Sequence, residues 1–407
     1  MNNSKETFCA APWFQIRNSN NMGKRVCCTI SSEITKNIPS QSMSSIEYLN
    51  SEPILDLKKD LANGVKSKYC NICWLDEENG TRSVRQGLNS LLSMQKDSDA
   101  PSWMDAYFSK KKDFTSDVIL SADIKTGNTC NYACVMCTPE DSSMIYANWV
   151  SNKDHPIVRT KLEKDPTYLQ RAKSFSVKNK KYMDYLDDII GNNNNIKFLK
   201  FLGGEPFLDH FLLTKLRQLP DSVKNKLSLH FVTNASKDFS DIIDSLGNFK
   251  YIQCSVSLEG IGEVQEWARY GSDWNQVERH VLKGLYNPKI DLTVLYTFQT
   301  ATVLGFQDLA KWCKSNNIKL VANIVYDPEC LSVKTLPEDI KKNLLLEVAS
   351  NKNIIDDAET SYQDLLVKVN DLDYDPSLRN EFFAYIEWYE SNKNTKKLKN
   401  IFPELYR

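Results

Sequence analysis

Short apolar segments alternate with helical patterns from residue 117 onward, and this alternation restricts the fold more than any other feature of the sequence. Strands separated by helices pair in parallel, because each helix carries the chain back to the edge of the sheet where the previous strand began. The six units predict an α/β fold, a partial (β/α)6 barrel over residues 117–330. The predicted strands are 118–125, 196–202, 227–234, 251–259, 292–299 and 320–326.

The segments outside these strands have other patterns. Residues 8–30 predict a β-hairpin, since two apolar runs flank a turn rich in Asn and Gly. Helical spacing begins after Pro53, and another helix is predicted to begin at Cys70 and run toward Leu92. The resulting domain prediction is a small α+β domain at 1–95, a polar linker at 96–116, a barrel insertion at about 140–195 and a helical C-terminal extension at 331–407.

The balance of charges argues against a strong attraction to nucleic acid or to anionic lipid. Lys and Arg total 51 against 52 Asp and Glu, a formal net charge of -1 at pH 7. No run approaches the roughly 18 consecutive apolar residues of a membrane span, and residues 1–13 lack the apolar core of a secretion signal. We therefore expect a soluble, cytoplasmic protein without a membrane or nucleic-acid partner.

Eight of the eleven cysteines fall into two close-spaced sets. In a chain without a secretion signal, metal ligation explains them better than disulfides do. The first set is Cys130-x3-Cys134-x2-Cys137, directly after the first predicted barrel strand, where barrel enzymes place their chemistry. Three thiolates from one loop suit an iron–sulfur cluster with one open iron, whereas a zinc knuckle would need a fourth Cys or His nearby.

This spacing, together with a Gly-Gly-Glu-Pro turn at 203–206, resembles the radical S-adenosylmethionine (SAM) superfamily. The resemblance implies a 4Fe–4S cluster whose open iron binds SAM and which, when reduced, cleaves it to a 5′-deoxyadenosyl radical that abstracts a substrate hydrogen. Gly203, Gly204 and Glu205 would then contact the SAM amino group. Met136 stands where this family usually has an aromatic residue beside adenine, and a thioether also packs on a π face.

Further SAM contacts are implied by the same resemblance. In the fourth predicted strand, Ser257 and Glu259 lie on the polar, lumen-facing side and resemble the segment that bonds the ribose hydroxyls. Asn234, at the end of the third strand, and Arg269, after the fourth, resemble additional contacts. Cys330, just beyond the sixth strand, is a candidate hydrogen-atom donor to a substrate radical, with a purely structural role as the alternative.

The second cysteine set resembles the twitch half of the SPASM/twitch auxiliary cluster domain, although here it precedes the barrel. The resemblance implies that Cys9, Cys28, Cys70 and Cys73 hold a second 4Fe–4S cluster. Adjacent strand residues face opposite ways, so only one of Cys27 and Cys28 should be a ligand, and the spacing from the hairpin Gly favours Cys28. A structural zinc ion is the alternative, because four thiolates suit both metals.

These features predict an oxidoreductase-type radical SAM enzyme. A filled auxiliary cluster would take an electron from the substrate radical, which favours net oxidation of a small-molecule or peptide substrate. The expected partner is a reducing protein such as flavodoxin or ferredoxin. The alternatives are a redox-neutral radical SAM epimerase and a non-catalytic metal-binding or electron-transfer iron–sulfur protein.

Overall fold

The computed structural model describes most of the chain, with short gaps. Most of the predicted linker at 96–116 lies outside the described residues, as does Tyr326 at the end of the last predicted strand. The described ranges are 4–19, 23–36, 38–93, 113–174, 181–191, 195–325, 327–355, 362–370, 372–391 and 393–406.

The predicted α/β fold is confirmed by a central sheet of eight strands. These strands are β1 (Gln15–Ser19), β2 (Gly23–Arg25), β3 (Ser121–Lys125), β5 (Phe198–Leu202), β6 (Ser228–Thr233), β7 (Tyr251–Ser257), β9 (Ile290–Phe298) and β10 (Lys319–Ile324). Their order across the sheet is β10-β9-β7-β6-β5-β3-β1-β2. All six predicted strands are present, with ends that differ from the expected ones by up to three residues.

The parallel pairing that the alternation predicts is visible in the register of the last three strands. β7 pairs in parallel with β9, from Ile252 opposite Ile290 to Ser257 opposite Leu295. β9 continues in parallel with β10. Because the strands run the same way, their carboxyl ends share one edge of the sheet, and the residues just after these strands are brought together there.

The predicted N-terminal hairpin is confirmed, but its position in the sheet was not foreseen. β1 pairs antiparallel with β2 and also in parallel with β3, with Ile16 opposite Ala122. Both of these residues are fully buried. The hairpin therefore extends the main sheet instead of forming a sheet of its own, and it covers a strand edge that would otherwise be open.

Helices flank the sheet and form the C-terminal extension. A separate two-stranded ribbon pairs β4 (Ala133–Cys134) with β8 (Arg269–Tyr270). The helices are α1 (Ser4–Thr7), α2 (Ala11–Phe14), α3 (Ser45–Leu49), α4 (Glu52–Ala62), α5 (Asn71–Glu78), α6 (Val84–Ser93), α7 (Ser143–Ser151), α8 (Pro156–Lys164), α9 (Tyr168–Ser174), α10 (Lys181–Gly191), α11 (His210–Gln218), α12 (Asp221–Lys224), α13 (Phe239–Asp244), α14 (Gly262–Ala268), α15 (Trp274–Leu285), α16 (Phe306–Ser315), α17 (Glu338–Ser350), α18 (Tyr362–Asn370), α19 (Pro376–Ser391) and α20 (Leu398–Ile401).

The chain divides into two compact units. The first unit comprises residues 1–125, 180–201 and 220–229, and the second comprises 126–179, 202–219 and 230–407. The second cysteine set lies in the first unit, and Cys130, Cys134 and Cys137 lie in the second. The domain limits predicted above remain a prediction. Within the described ranges, no helix has both the length and the apolar character needed to cross a bilayer.

Candidate active site

The loop that carries the first cysteine set comes after β3 and is held by local hydrogen bonds. Ser142, which caps α7, donates to the Tyr132 carbonyl oxygen at 2.7 Å. The Ser143 hydroxyl donates to the Cys130 carbonyl oxygen at 3.1 Å and accepts from the Cys130 N–H at 3.2 Å. These two serines went unnoticed in the sequence, although serine before an apolar run is a typical helix start.

Arg269 lies directly beside the thiols, on the strand that pairs with Cys134. Its guanidinium donates to the Cys134 sulfur at 3.6 Å and to a Glu259 carboxylate oxygen at 2.7 Å. The pKa of the Cys134 thiol lies below its ordinary value, because Cys137 donates a hydrogen bond to it and Arg269 is nearby. Burial, together with the neighbouring Cys134, raises the pKa of Cys130 to about 12.

The turn at Gly203 and Gly204 packs against the backbone that leads into Cys130. Gly204 donates its N–H to the Gly127 carbonyl oxygen, and Glu205 donates its own to that of Thr129, both at 2.8 Å. A Cβ atom on Gly204 would lie 2.0 Å from the Thr129 oxygen, and one on Gly203 would lie 2.6 Å from that of Gly127. Gly203 also has φ of 138°, which side chains rarely allow. Only glycine fits at both positions.

Glu205 joins this turn to the end of β6. Its buried carboxylate accepts hydrogen bonds from the Asn234 N–H at 2.6 Å, the Thr233 hydroxyl at 2.8 Å and the Phe207 N–H at 3.1 Å. Burial raises the pKa of Glu205 to about 7, although these donors oppose the shift. Glu205, which is predicted to accept a hydrogen bond from the SAM amino group, thus already accepts three hydrogen bonds from the protein itself.

Asn234 also reaches the cysteine loop. Its side-chain amide donates to the Cys130 sulfur at 3.6 Å and to the Asn131 side-chain oxygen at 3.2 Å. Asn131 accepts a further hydrogen bond from the Ser236 hydroxyl at 3.0 Å. The end of β6 therefore contacts both the Gly-Gly-Glu-Pro turn and the three-cysteine loop.

The remaining predicted SAM residues differ in their exposure to solvent. Ser257, at the end of β7, is buried, and Met136 is half-buried. Glu259 is fully buried, which raises its pKa despite the Arg269 cation. Glu259, a predicted contact of the SAM ribose, and Arg269, a further predicted SAM contact, therefore form an ion pair with each other.

Cys330 is buried in a short 3-10 helix, Glu329–Leu331. Burial raises the pKa of its thiol to about 12. The thiol consequently stays protonated at neutral pH, as both a hydrogen-atom donor and a structural cysteine would be, and its predicted role stays a prediction.

Buried polar side chains on neighbouring strands lie within hydrogen-bonding distance of one another. His230 and the Ser255 hydroxyl lie 2.8 Å apart, and Ser255 lies 2.9 Å from the Thr293 hydroxyl. This buried network crosses β6, β7 and β9. Hydrogen bonding among these residues is the outcome expected for buried polar groups in general.

The structure brings Cys27, rather than Cys28, near the other thiols of the second set, whereas the hairpin spacing favours Cys28 as the ligand. Burial raises the pKa of Cys9 well above its ordinary value, and the nearby Cys27, Cys70 and Cys73 add to this shift. Cys28, by contrast, is exposed. The physical reason is that β2 ends at Arg25, so residues 26–30 form bends to which strand alternation does not apply.

Thr29, whose residue type had given no signal in the sequence, lies between two of these thiols. Its hydroxyl oxygen is 3.6 Å from the Cys27 sulfur and 3.6 Å from that of Cys73. Cys70 directly precedes α5, as predicted, at the N-cap position but without a side-chain capping hydrogen bond. α5 ends at Glu78 and does not continue toward Leu92.

Arg85, on α6, holds the segment next to Cys9. It donates to the Phe8 carbonyl oxygen at 2.5 Å and forms a buried ion pair with Glu77. Asn89, one turn further, accepts from the Ala10 N–H at 2.7 Å and donates to the same Phe8 oxygen at 2.9 Å. Both flanks of Cys9 are therefore held by α6.

Whether either set suits a metal is a question of donor chemistry. Among the described residues, no three or more His, Cys, Asp or Glu side chains converge in the way that would hold one metal ion. The two sets are nevertheless groups of three and four thiols whose members affect one another's pKa. Thiolates are the ligands of iron–sulfur clusters, so both sets fit such clusters by type and number.

Comparison of this chain with known proteins found similar solved structures. No family model matches the chain, and no curated protein matches it. Native anSMEcpe with bound AdoMet is 17% identical with a TM-score of 0.37, over 60% of this chain and 63% of that one. SuiB of Streptococcus suis bound to S-adenosylmethionine is 14% identical with a TM-score of 0.37, over 72% and 62%.

A third structure is the radical S-adenosylmethionine methyltransferase TsrM from Kitasatospora setae, with cobalamin and a 4Fe–4S cluster bound. It is 14% identical with a TM-score of 0.32, over 51% of this chain and 37% of that one. The chain spans less than two thirds of the length of each of these three proteins.

Proposed function

We propose that this protein is a radical SAM enzyme, with Cys130, Cys134 and Cys137 as ligands of its catalytic 4Fe–4S cluster. The observation that carries the proposal is the close packing of the Gly203–Gly204 turn on the backbone leading into Cys130. A glycine turn packed on a loop with three thiols would place backbone, rather than side chains, beside a cluster held by that loop. An electron carrier would not require the SAM-contact residues that the Gly-Gly-Glu-Pro turn and residues 257–259 resemble.

A reduced 4Fe–4S cluster with bound SAM supplies a 5′-deoxyadenosyl radical, which removes a hydrogen atom from a substrate. Within this chemistry, the chain binds and positions. The Gly203–Gly204 turn, packed on residues 127–129, would lie beside the amino-acid part of SAM, and Met136 would pack beside the adenine. Ser257 is a donor and acceptor for the ribose.

Arg269 has two functions in this proposal. It neutralises the buried Glu259 carboxylate, and it donates a hydrogen bond to the Cys134 sulfur. A hydrogen bond and a positive charge at a ligand sulfur stabilise added negative charge on a cluster and so raise its reduction potential. Glu259 fixes the guanidinium in the orientation that makes this possible.

We further propose that Cys9, Cys27, Cys70 and Cys73 hold an auxiliary 4Fe–4S cluster. Four thiols give a complete shell, which suits electron transfer more than direct binding of a substrate. An electron acceptor of this kind supports net oxidation of a small-molecule or peptide substrate, with flavodoxin or ferredoxin as the reductant. Zinc at this set is the alternative, since its preferred ligands are the same.

The test is to purify the full chain anaerobically, reconstitute it with iron and sulfide, and measure bound iron, sulfide and zinc. The dithionite-reduced protein is then incubated with SAM and assayed for 5′-deoxyadenosine. We expect about eight irons, four per cluster, and formation of 5′-deoxyadenosine. A variant with Ala at positions 130, 134 and 137 should keep about four irons and lose the product.

The matched control is Cys313→Ala, which removes a buried thiol from α16, outside both cysteine sets. It should bind iron and cleave SAM as the unchanged protein does. Zinc instead of iron at the first set, or no 5′-deoxyadenosine from the iron-loaded, reduced protein, would refute the proposed function. Zinc at the second set alone would refute only the auxiliary cluster.

A further inference from the structure

The backbone of the three-cysteine loop is held by four side-chain hydroxyls. Each donates to one carbonyl oxygen between residues 130 and 135. Two of the donors stand at the start of α7, just after the loop, and two stand on α19 in the C-terminal extension. The pairs are Ser143 with Cys130 at 3.1 Å, Ser142 with Tyr132 at 2.7 Å, Tyr389 with Ala133 at 2.8 Å and Tyr385 with Val135 at 2.8 Å.

The two tyrosines act from one face of one helix. Residues four apart on a helix lie on the same side, and both Tyr385 and Tyr389 are buried. The Tyr389 hydroxyl oxygen also lies 3.1 Å from the Trp267 carbonyl oxygen and 3.4 Å from that of Ala268. It therefore contacts the backbone of β4, which carries Cys134, and the last two residues of α14, which directly precede β8.

The helix that carries the tyrosines is anchored independently of the loop. At its start, Arg379 donates to the carbonyl oxygens of Thr335 at 2.8 Å and Leu405 at 2.6 Å. Near its end, Glu390 accepts from the Trp267 indole N–H at 2.9 Å. A helix held at both ends gives the two hydroxyls fixed positions.

The loop needs such donors because it has little regular structure of its own. β4 is two residues long, and within the loop the Cys137 N–H bonds to the Cys134 carbonyl at 3.2 Å. The flanking carbonyls of Ala133 and Val135 are buried, and a buried carbonyl without a donor is costly. The Tyr385 and Tyr389 hydroxyls donate to these two carbonyls.

We infer that Tyr385 and Tyr389 are positioning residues that hold the backbone of Ala133 and Val135, and through it the thiol of Cys134, in place for cluster binding. The inference rests on the proposed function. It assigns the C-terminal extension a task at the active site: it fixes the direction of the cysteines, although neither tyrosine binds the cluster.

The experiment compares Tyr385→Phe, Tyr389→Phe and the double variant with the unchanged full chain. Phenylalanine keeps the ring and removes only the hydroxyl. The matched control is Tyr406→Phe, the same change in the same extension, where the ring packs on Phe383 at 4.9 Å, away from the loop. Hydrogen exchange of the amides at 130–137 is measured with and without reconstitution, so this readout does not depend on activity.

We expect the exchange of these amides to rise about tenfold in the double variant, as loss of one or two hydrogen bonds implies. The hydrogen exchange rates of amides in β7, β9 and β10 should not change. The Tyr406→Phe control should exchange as the unchanged protein does. In the reduced, reconstituted double variant, the electron paramagnetic resonance spectrum recorded with SAM should also shift. A general loss of stability would raise exchange in the strands as well.

Unchanged exchange at 130–137 together with an unchanged spectrum would overturn the inference. Exchange that rises equally in the loop and in the strands would overturn it too, because the tyrosines would then be ordinary core residues. If the unchanged protein binds no iron at its first cysteine set, the proposed function fails. The exchange experiment still reports in that case whether the tyrosines hold the loop.

Discussion

At the scale of single residues, two neighbouring cysteines have opposite environments. Cys27 is buried within reach of Cys9, Cys70 and Cys73, whereas Cys28 is exposed. The charged neighbours of the Cys28 thiol include Arg17 and Asp123. A ligand must present its sulfur to the same point as the other ligands, and of the two neighbours it is Cys27 whose thiol affects the pKa of Cys9 and Cys70.

We therefore predict that Cys27→Ala lowers the iron content of the reconstituted protein from about eight to about four per chain, the loss of one cluster. Cys28→Ala is the matched control and should retain the full content. Iron and sulfide analysis of both variants, prepared side by side, provides the measurement. Equal iron in the two variants, or loss only in Cys28→Ala, would show that Cys27 is not the ligand.

The ion pair of Arg269 and Glu259 is a second residue-scale feature. Both side chains are buried, and each compensates the charge of the other. A buried ion left without its partner destabilises a fold strongly, while removal of both ions costs much less. The pair therefore makes the guanidinium beside Cys134 part of the folded structure, present whether or not a ligand is bound.

At the scale of elements, the turn at Gly203 and Gly204 connects the end of β5 to the cysteine loop. The backbone atoms of the turn and the loop are in direct contact, with no room for a methyl group. Unlike a flexible side chain, the Thr129 carbonyl cannot move aside without shifting the loop. The conformations of the turn and the loop therefore depend on each other, and a backbone shift in one requires a shift in the other.

We predict that Gly204→Ala lowers the free energy of unfolding by at least about 2 kcal/mol, because its Cβ would lie 2.0 Å from the Thr129 oxygen. The control is Gly87→Ala in α6, where a Cβ would meet nothing within 4 Å. That change should stabilise by about 0.5–1 kcal/mol, as is usual for alanine in a helix. Urea unfolding of the two variants tests this, and equal stabilities would contradict it.

α19 forms hydrogen bonds with a segment that is far from it in the sequence. Its Tyr385 stands 250 residues beyond the Val135 carbonyl to which it donates. The aromatic residues of this helix predict that it is buried, but they do not predict its partner. The connection to the cysteine loop is made by the hydroxyls, which the apolar pattern does not distinguish from phenylalanine rings.

At the scale of the whole molecule, the buried Glu205 carboxyl makes stability depend on pH. Its pKa is raised to about 7 by burial in the folded protein, against about 4.3 in an unfolded chain. Between these values the folded state binds more protons than the unfolded one, so the free energy of unfolding falls as pH rises through this window. The raised pKa corresponds to about 4 kcal/mol at 1.36 kcal/mol per pKa unit.

We predict that Glu205→Gln removes this contribution. The variant should become more stable relative to the unchanged protein as pH rises from about 4.5 to 7, with little further change above about pH 8. Urea unfolding of both proteins across this range gives the difference directly, since all other titrating groups are common to the two. A difference that stays constant with pH would contradict the prediction.

Much of the fold could be predicted from sequence because its determinants are local. The six strands were found within three residues of their ends, since apolar runs bounded by turn residues are short-range signals. The start of α5 at Cys70 was predicted for the same reason. Its end at Glu78 was not predicted, although Asn79-Gly80, with Gly80 at a φ of 74°, is a local helix-stop signal.

The sequence by itself determined the parallel α/β architecture and the thiol-bearing loop Cys130–Cys137, because strand period and ligand spacing are properties of neighbouring residues. Only the tertiary structure decided that Cys27 turns inward, that Glu259 pairs with Arg269, and that two tyrosines reach the loop. Those outcomes depend on which distant segments share the space around a residue. Such contacts are settled by packing and burial, for which the order of residues along the chain carries no direct signal.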